Sequence, residues 1–441
     1  MGNIPFLILF LIIIAFLFRV DFIFYIIYVL FGVYALNRWL IPRSLRCLRI
    51  SRQFSSHAFI GDLVSVQIRI TNKSRIPIPW LHIRESVPVV LRRGSRINRV
   101  TSVSGREGRR FTYQVQATKR GYYRLGPLSI AVGDHFGFTN VESQKDPSYI
   151  TIYPQIIPLR KLGLSSNLPF GAIASKQRLF EDPARPIGVR DYKFGDTPRT
   201  INWKVSAKQR KLLVRIHQPA ISLETFILLN LNKDEYSRRH RYDSSEWGIT
   251  VAASLAAHLV EQRQAVGLGV NGLDPLLQVR SSEDLEELFD EESGRLEIPA
   301  DIENIHLTST AARFNRHQLP DPVSPHRSRL HLMKVLEVLA RVESGSALPF
   351  TQYILESSVS LGWGTTLLVI SPHGSEEICY AIHRLVRKGF NPVLVIIEPY
   401  ADIRSVRLRG RSLGFQVFQI SSLREIDIWR RSPELITMMN R

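Results

Sequence analysis

Phe226-Ile227-Leu228-Leu229-Asn230-Leu231 is almost wholly apolar, does not alternate, and is too short for a helix; it reads as a strand buried on both faces. Trp247 to Gln264 follows as a helix, with Val251, Leu255, Leu259 and the intervening alanines on one face. Val266-Gly267-Leu268-Gly269-Val270 is a second strand, closed by the turn pair Asn271-Gly272. Toward the C-terminal end, Leu330 to Val342 reads as a helix with Leu332, Leu336 and Leu339 apolar. Thr365 to Ile370 is a strand, Ser375 to Lys388 a helix, Pro392 to Ile397 a strand, and Phe415 to Ile420 a last strand. Short strands alternating with longer helices predict a parallel, doubly wound α/β sheet over residues 221–441. Residues 280–326 fit this badly. An acidic run (Glu283-Asp284, Glu286-Glu287, Asp290-Glu291-Glu292) predicts an exposed helix capped by Ser281 or Ser282, and Pro320, Pro322 and Pro325 close the stretch. It reads as a surface insertion, with intramolecular docking and repulsion from anionic surfaces both open.

Upstream, from about residue 50 to 155, the period is two. Val64-Ser65-Val66-Gln67-Ile68-Arg69-Ile70 and Phe111-Thr112-Tyr113-Gln114-Val115-Gln116-Ala117 alternate strictly, and Pro77, Pro79, Pro88, Gly121, Gly126 and Gly133 punctuate the region. The expectation is an antiparallel β-sandwich. Arg92 to Arg124 holds ten basic residues against one acid, Glu107. Such a run is a solvated face or, beside a membrane, a lipid-facing patch.

At the N-terminal end, Ile4 to Phe18 is unbroken apolar and Phe22 to Leu36 nearly so, with Arg19-Val20-Asp21 between. Each run as helix spans roughly 22 Å, short of a ~30 Å hydrocarbon core. The second extends to Ile41, because Arg38 can snorkel and Trp39 suits the interface. Charges at a turn sit among headgroups at little cost, whereas mid-membrane they cost several kcal/mol. The reading is a helical hairpin over residues 1–45; a single span and a cleaved signal peptide are the alternatives, the latter lacking a basic start and a small-x-small cleavage site. Arg38, Arg43, Arg46, Arg49 and Arg52 follow with no acid before Asp62, which predicts a multi-pass inner-membrane protein with cytoplasmic soluble domains. Arg38, Arg43, Arg46 and Arg49 are candidate lipid-facing residues. The net charge of +19 implies an anionic counterpart, and the two distant cysteines, Cys47 and Cys379, suit a reducing compartment.

Known active-site patterns are sparse. Gly267-x-Gly269-x-x-Gly272 matches a dinucleotide fingerprint, but the glycines lie within and just after a strand and Asp274-Pro275 follows where a helix should begin. No P-loop, H-E-x-x-H or G-x-S-x-G is present, and the twelve histidines are scattered. No cofactor is expected. One dense constellation lies in residues 156–220, a region without sustained period that reads as a linker. It runs Arg190-Asp191-Tyr192-Lys193-Phe194-Gly195-Asp196-Thr197-Pro198-Arg199-Thr200-Ile201-Asn202-Trp203-Lys204-Val205-Ser206-Ala207-Lys208. Gly195 to Pro198 is turn chemistry, and Asp196 can pair with Arg199 or cap a helix beginning near Pro198. Tyr192, Ile201 and Trp203 are expected to bury the segment as anchors. It can be a structural brace, a surface for a protein or anionic partner, or the site of a hydrolase or transferase around Asp191, Asp196 and Arg199.

The pattern R-x-Y-x-x-G-D-x-x-R-x-I-x-W-K-x-x-A-K over these residues, continued by Leu213-Val214-Arg215, resembles the domain-of-unknown-function 58 family. Its motif positions here are Arg190, Tyr192, Gly195, Asp196, Arg199, Asn202, Trp203, Lys204, Ala207 and Lys208. Arg120-Gly121-Tyr122-Tyr123-Arg124-Leu125-Gly126-Pro127, Gly133-Asp134-His135-Phe136-Gly137-Phe138 and Leu336-Glu337-Val338-Leu339-Ala340 also agree, with His135 where proline is usual. The resemblance implies a membrane hairpin, a β-rich domain and a C-terminal von Willebrand A-like domain, in proteins encoded beside MoxR-type AAA+ ATPases and other von Willebrand A-like proteins. It suggests adaptor or chaperone-like work on such a partner; the residues themselves assemble no evident active site, and the scarcity of aromatics among the basic runs outside Trp203, with the membrane tether, argues against a nucleic-acid partner. A complete von Willebrand A domain holds Mg²⁺ through Asp-x-Ser-x-Ser. Here Asn230-Leu231-Asn232-Lys233-Asp234 stands in that place, so Asn230, Asn232 and Asp234 are degenerate positions and no bound metal is expected.

Overall fold

The computed structural model describes residues 4–18, 21–92, 97–133, 140–158, 181–193, 201–219, 224–278, 289, 295–296, 319–346, 348–399 and 402–422. The chain divides into two compact units, one of Met1–Pro154 with Val279–Pro299, the other of Gln155–Gln278 with Ala300–Arg441. Together they make a mixed α/β protein with several sheets and an apolar N-terminal helix.

The first unit opens with α1 (Ile4–Phe18) and α2 (Asp21–Arg46). Phe22–Arg46 is long and apolar enough to cross a membrane. The helices touch where Leu11, Ile23 and Tyr34 surround the buried Ile27. Arg19 lies outside the described residues. The strands are β1 (Leu48–Gln53), β2 (His57–Phe59), β3 (Leu63–Asn72), β4 (Ile78–Glu85), β5 (Asn98–Val103), β6 (Gly108–Gln116), β7 (Gly121–Leu125), β8 (Leu128–Gly133), β9 (Asn140–Lys145) and β10 (Ser148–Tyr153). They form sheets ordered β1-β3-β6, β2-β10-β7 and β5-β4-β8-β9. Pairing is antiparallel except for β2 with β10, which run parallel against expectation. The period-two reading holds in β3, where Val64, Val66, Ile68 and Ile70 are buried and Ser65 and Arg69 exposed. One apolar cluster joins Ile68, Ile70, Leu81, Ile83 and Ile130 to Ile41 of α2, with Leu45 packed beside it. Each such side chain contributes about 1.5–3 kcal/mol by leaving water. The last turns of α2 are thus part of the core of the β unit.

The segment expected as a surface insertion does not wholly stay on the surface. Phe289 and Leu296 are buried, and the Leu296 N–H donates to Tyr122 O at 2.9 Å on the edge strand β7. The Phe289 ring lies 5.6 Å from that of Tyr149 and 6.1 Å from that of Tyr122. Pairing plus aromatic cover blunts an otherwise open edge. The acidic residues 283–287 and the caps at 281 and 282 lie outside the described residues.

The second unit contains β11 (Glu181–Asp191), α3 (Trp203–Gln209), β12 (Leu213–Pro219), β13 (Glu224–Leu229), α4 (Arg241–Glu261), β14 (Ala265–Val270), β15 (Val323–His326), α5 (Arg329–Arg341), α6 (Phe350–Ser357), β16 (Thr366–Ser371), α7 (Glu376–Arg387), β17 (Asn391–Ile396), α8 (Ile403–Leu413) and β18 (Gln416–Gln419). Its main sheet is ordered β15-β14-β13-β16-β17-β18, all parallel except β15. The strand order reverses at β13, as in doubly wound sheets. The helix α7 shows why the sequence folds here. Ser375 accepts from the Ile378 N–H at its start, and Ile378, Ile382 and Leu385 fill one buried face. Two expectations are corrected. Residues 323–326, assigned to the insertion because of their prolines, are an edge strand, where Pro325 needs no ladder partner on its open side. Residues 181–219 are not a featureless linker, because β11 and β12 pair antiparallel, with register shifts between Asp182 and Gly188. Helices α6 and α8 were not expected at all.

Candidate functional site

In a doubly wound sheet a ligand crevice forms at the carboxyl ends of the strands where their order reverses, here between β13 and β16. The residues that follow β13 occupy this place, and the structure brings Asn230 and Asn232 together with Glu235, Asn271 and Ser371. The Asn230 side-chain amide donates to Glu235 Oε2 at 2.9 Å and to Ser371 Oγ at 3.3 Å. Its Oδ1 accepts from the Asn232 N–H at 3.1 Å and from Asn271 Nδ2 at 3.3 Å. Both protons and both lone pairs of this fully buried amide are therefore used. Glu235 Oε1 also accepts from Asn232 Nδ2 at 3.4 Å and from the Phe350 N–H at 3.0 Å, supplying the cap that Pro349 cannot give to α6. Tyr236 donates its hydroxyl to Asn230 O. Burial first, then Glu398 and Glu235, push its phenol far above the usual range, so it stays a donor.

Asp234 is exposed, and its carboxylate accepts from Ser346 Oγ at 3.2 Å. A divalent cation needs oxygen lone pairs that converge and are unspent. Asn230 has none left, so the described residues do not fit the von Willebrand A-type metal set. Sequence reasoning missed Glu235, Asn271 and Ser371. The available signal was that polar residues follow the apolar strands Phe226–Leu229, Val266–Val270 and Thr366–Ile370 directly.

The fingerprint glycines have a packing role. A Cβ at Gly267 would collide with the Phe226 ring and come within 2.7 Å of Val323 O; one at Gly269 would meet the same ring at 2.9 Å and the Tyr353 hydroxyl at 3.0 Å. They make room for Phe226 and do not form a phosphate cradle.

The motif is carried by the β11–β12 ribbon and α3. Asn202 caps α3, accepting from the Val205 N–H at 3.4 Å, which replaces the expected helix start near Pro198. The Asn202 N–H donates to Leu213 O at 2.8 Å, and the buried Ser206 hydroxyl accepts from the Leu213 N–H at 2.9 Å, folding α3 back onto β12. Ile201 is buried and Tyr192 half-buried, as anchors should be. Trp203 is not an anchor: it is 64% exposed, with Lys204, Ala207 and Lys208 also exposed. A seven-residue helix fixed through its opposite face leaves this one outward. Arg190 and Asp191 are exposed near the end of β11. Gly195, Asp196 and Arg199 lie outside the described residues, so the catalytic grouping with Asp191 is not brought together among them.

In the β unit, Arg38, Arg43, Arg46 and Arg49 are exposed, and the Arg43 guanidinium sits 3.8 Å over the Trp39 ring. The one buried charge pair described in this unit is Arg52 with Glu85, 2.6 Å apart. Burial raises the Glu85 carboxyl despite the opposing pull of Arg52 and Tyr113. Tyr123 donates to Lys119 O at 3.1 Å, locking the second signature stretch as a buried corner. Most of Gly133 to Phe138 lies outside the described residues.

Residues 188–284 match the family model described as Protein of unknown function DUF58, which supports the resemblance drawn from the motif. The uncharacterized protein YeaD of Bacillus subtilis (strain 168) is 22% identical over 235 residues, 52% of this chain and 57% of that protein. The chain thus spans little more than half the length of this curated relative. Among solved structures, the CARDB domain of the PF1109 protein from Pyrococcus furiosus aligns with 24% of this chain and 91% of its own, at 17% identity and a TM-score of 0.19. The cupredoxin domain of amoB from Nitrosocaldus yellowstonii aligns with 24% of this chain and 87% of its own, at 13% identity and the same TM-score of 0.19. The sporulation control protein Spo0M of Bacillus subtilis aligns with 26% and 52%, at 11% identity and a TM-score of 0.18. Likeness this slight carries no functional argument.

Proposed function

We propose that this chain is a membrane-anchored, non-enzymatic scaffold whose motif-bearing α/β unit docks a protein partner, a MoxR-type AAA+ ATPase or another von Willebrand A-like protein. The observation that carries it is the exposure of Trp203 at 64%, beside Lys204 and Lys208 on a helix whose other face is fastened to β12. A large ring left in water on a rigid support is the usual anchor of a protein interface, and flanking cations favour an acidic partner surface. In this reading α1 and α2 form a transmembrane hairpin in the inner membrane, with both units cytoplasmic. The β unit is a sandwich, and the second unit is a von Willebrand A-like domain whose crevice is filled by its own amides.

The test is a photo-crosslinking residue at position 203 of the full chain in intact membranes, with crosslinked proteins identified by mass spectrometry. An AAA+ ATPase or von Willebrand A-like protein is expected, lost when Lys204→Glu and Lys208→Glu are added without change in melting temperature. Crosslinks confined to lipid or to the chain itself would refute the docking role.

A further inference from the structure

We propose that the end of the β unit at which α2 enters is a docking surface for anionic phospholipid headgroups, holding the unit against the membrane. This rests on the reading of α2 as a membrane helix. The placement comes from three backbone hydrogen bonds. The Lys73 N–H donates to Cys47 O at 3.1 Å, directly after α2; the Asn72 N–H donates to Glu107 O at 2.9 Å; and the Arg106 N–H donates to Ser74 O at 2.8 Å. The β3–β4 and β5–β6 turns are thereby tied to the end of the helix. Cys47 follows Trp39 by eight residues, about 12 Å of helix, and long basic side chains bridge most of that distance.

The charge gathered there is predominantly positive. Arg46, Arg49, Lys73, Arg75, Arg106 and Arg109 are all exposed, and among the described residues none forms a salt bridge. Glu107 is the one acid within these two turns. Repulsion among the six cations is relieved by an anionic surface, and an apolar helix with the Trp39–Arg43 pair at the same end selects a lipid surface over a soluble polyanion. The buried Ile41 and Ser44 leave no flexible linker between helix and strands, so the surface is held at a fixed height.

The test is amide hydrogen exchange on the full chain in nanodiscs of phosphatidylcholine alone or enriched in phosphatidylglycerol. Exchange across 73–76 and 104–107 is expected to slow by roughly tenfold in the anionic discs and to revert at high salt. The variant Lys73→Gln/Arg75→Gln/Arg106→Gln/Arg109→Gln should abolish the difference while β4 and β8 stay protected. If that variant unfolds, Arg75→Gln/Arg106→Gln decides, with at least a partial loss expected. Equal exchange in both discs, with α1 and α2 protected, overturns the proposal and leaves the anchor standing. A chain that fails to enter either disc overturns both.

Discussion

Replacing Glu235 by Gln tests whether the crevice at the end of β13 is a closed polar network. The carboxylate accepts three N–H groups, from Asn230, Asn232 and Phe350. A glutamine keeps one acceptor and turns the other into a donor. The least costly orientation places its amide nitrogen against Asn230 Nδ2. Asn230 cannot rotate to compensate, because its oxygen already serves Asn232 and Asn271. One hydrogen bond to a charged acceptor is lost, about 1.5–3 kcal/mol. The negative charge at the start of α6 is lost with it, about 0.3–1 kcal/mol. Glu235 is only half-buried, so water relieves part of this, and about 2–3 kcal/mol is expected. For a unit of this size that lowers the melting temperature by roughly 4–10 °C. Fluorescence of Trp247, whose Nε1 donates to Ile420 O at 2.7 Å within the same unit, reports it in the detergent-solubilised full chain. A shift under about 1 °C would show that Asn230 and its neighbours do not depend on this acceptor, and the closed network would be refuted.

Asn230→Asp should destabilise the α/β unit at neutral pH by setting two carboxylates side by side. The folded pair then binds a proton more readily than the unfolded chain, so stability should recover as pH falls, and millimolar Mg²⁺ should raise the melting temperature of this variant but not of the wild type. Gly267→Ala should cost about 1–3 kcal/mol or more in chemical denaturation, because its methyl meets the Phe226 ring and a backbone oxygen. The raised carboxyl of Glu85 means that its contribution to stability is present at low pH and is lost as pH rises from the ordinary carboxylate range through the folded value. Arg52→Met removes the opposing cation, so melting followed through Trp80 should fall more steeply with pH in that variant.

The alternation of helix and strand was legible because local chemistry and burial agree. Phe226–Leu229, Val266–Val270 and Thr366–Ile370 are apolar on both faces since helices cover both sides of a parallel sheet. The edge strand Val323–His326 was not legible, because an edge tolerates proline and needs only one ladder. Helix α8, Ile403 to Leu413, carries four arginines and buries only Val406 and Gly410, leaving too little apolar period to read. The motif was recognisable while its geometry was not. Ile201 and Trp203 are both large and apolar, and the bonds that tie α3 to Leu213, from the Asn202 N–H to its carbonyl and from its N–H to the Ser206 hydroxyl, decide which is buried. Glu235 was missed since a carboxylate six residues after a strand looks like any solvated loop acid until the partners arrive from Phe350 and Asn230.

At the crevice of the sheet, every hydrogen-bonding position of Asn230 is answered from within the chain, and Gly267 and Gly269 serve the packing of Phe226. A site held this way lowers the energy of the fold and offers little to a ligand, which would have to displace bonds of comparable strength. The unsatisfied chemistry lies elsewhere, in the exposed ring of Trp203 and in the cations tied to the end of α2. An exposed aromatic ring and a cluster of exposed cations each gain free energy when a complementary surface covers them. If Trp203→Ala and the four-residue glutamine variant both leave thermal stability within about 0.5 kcal/mol of wild type, as exposed positions should, any loss of function they cause must come from contacts outside the chain.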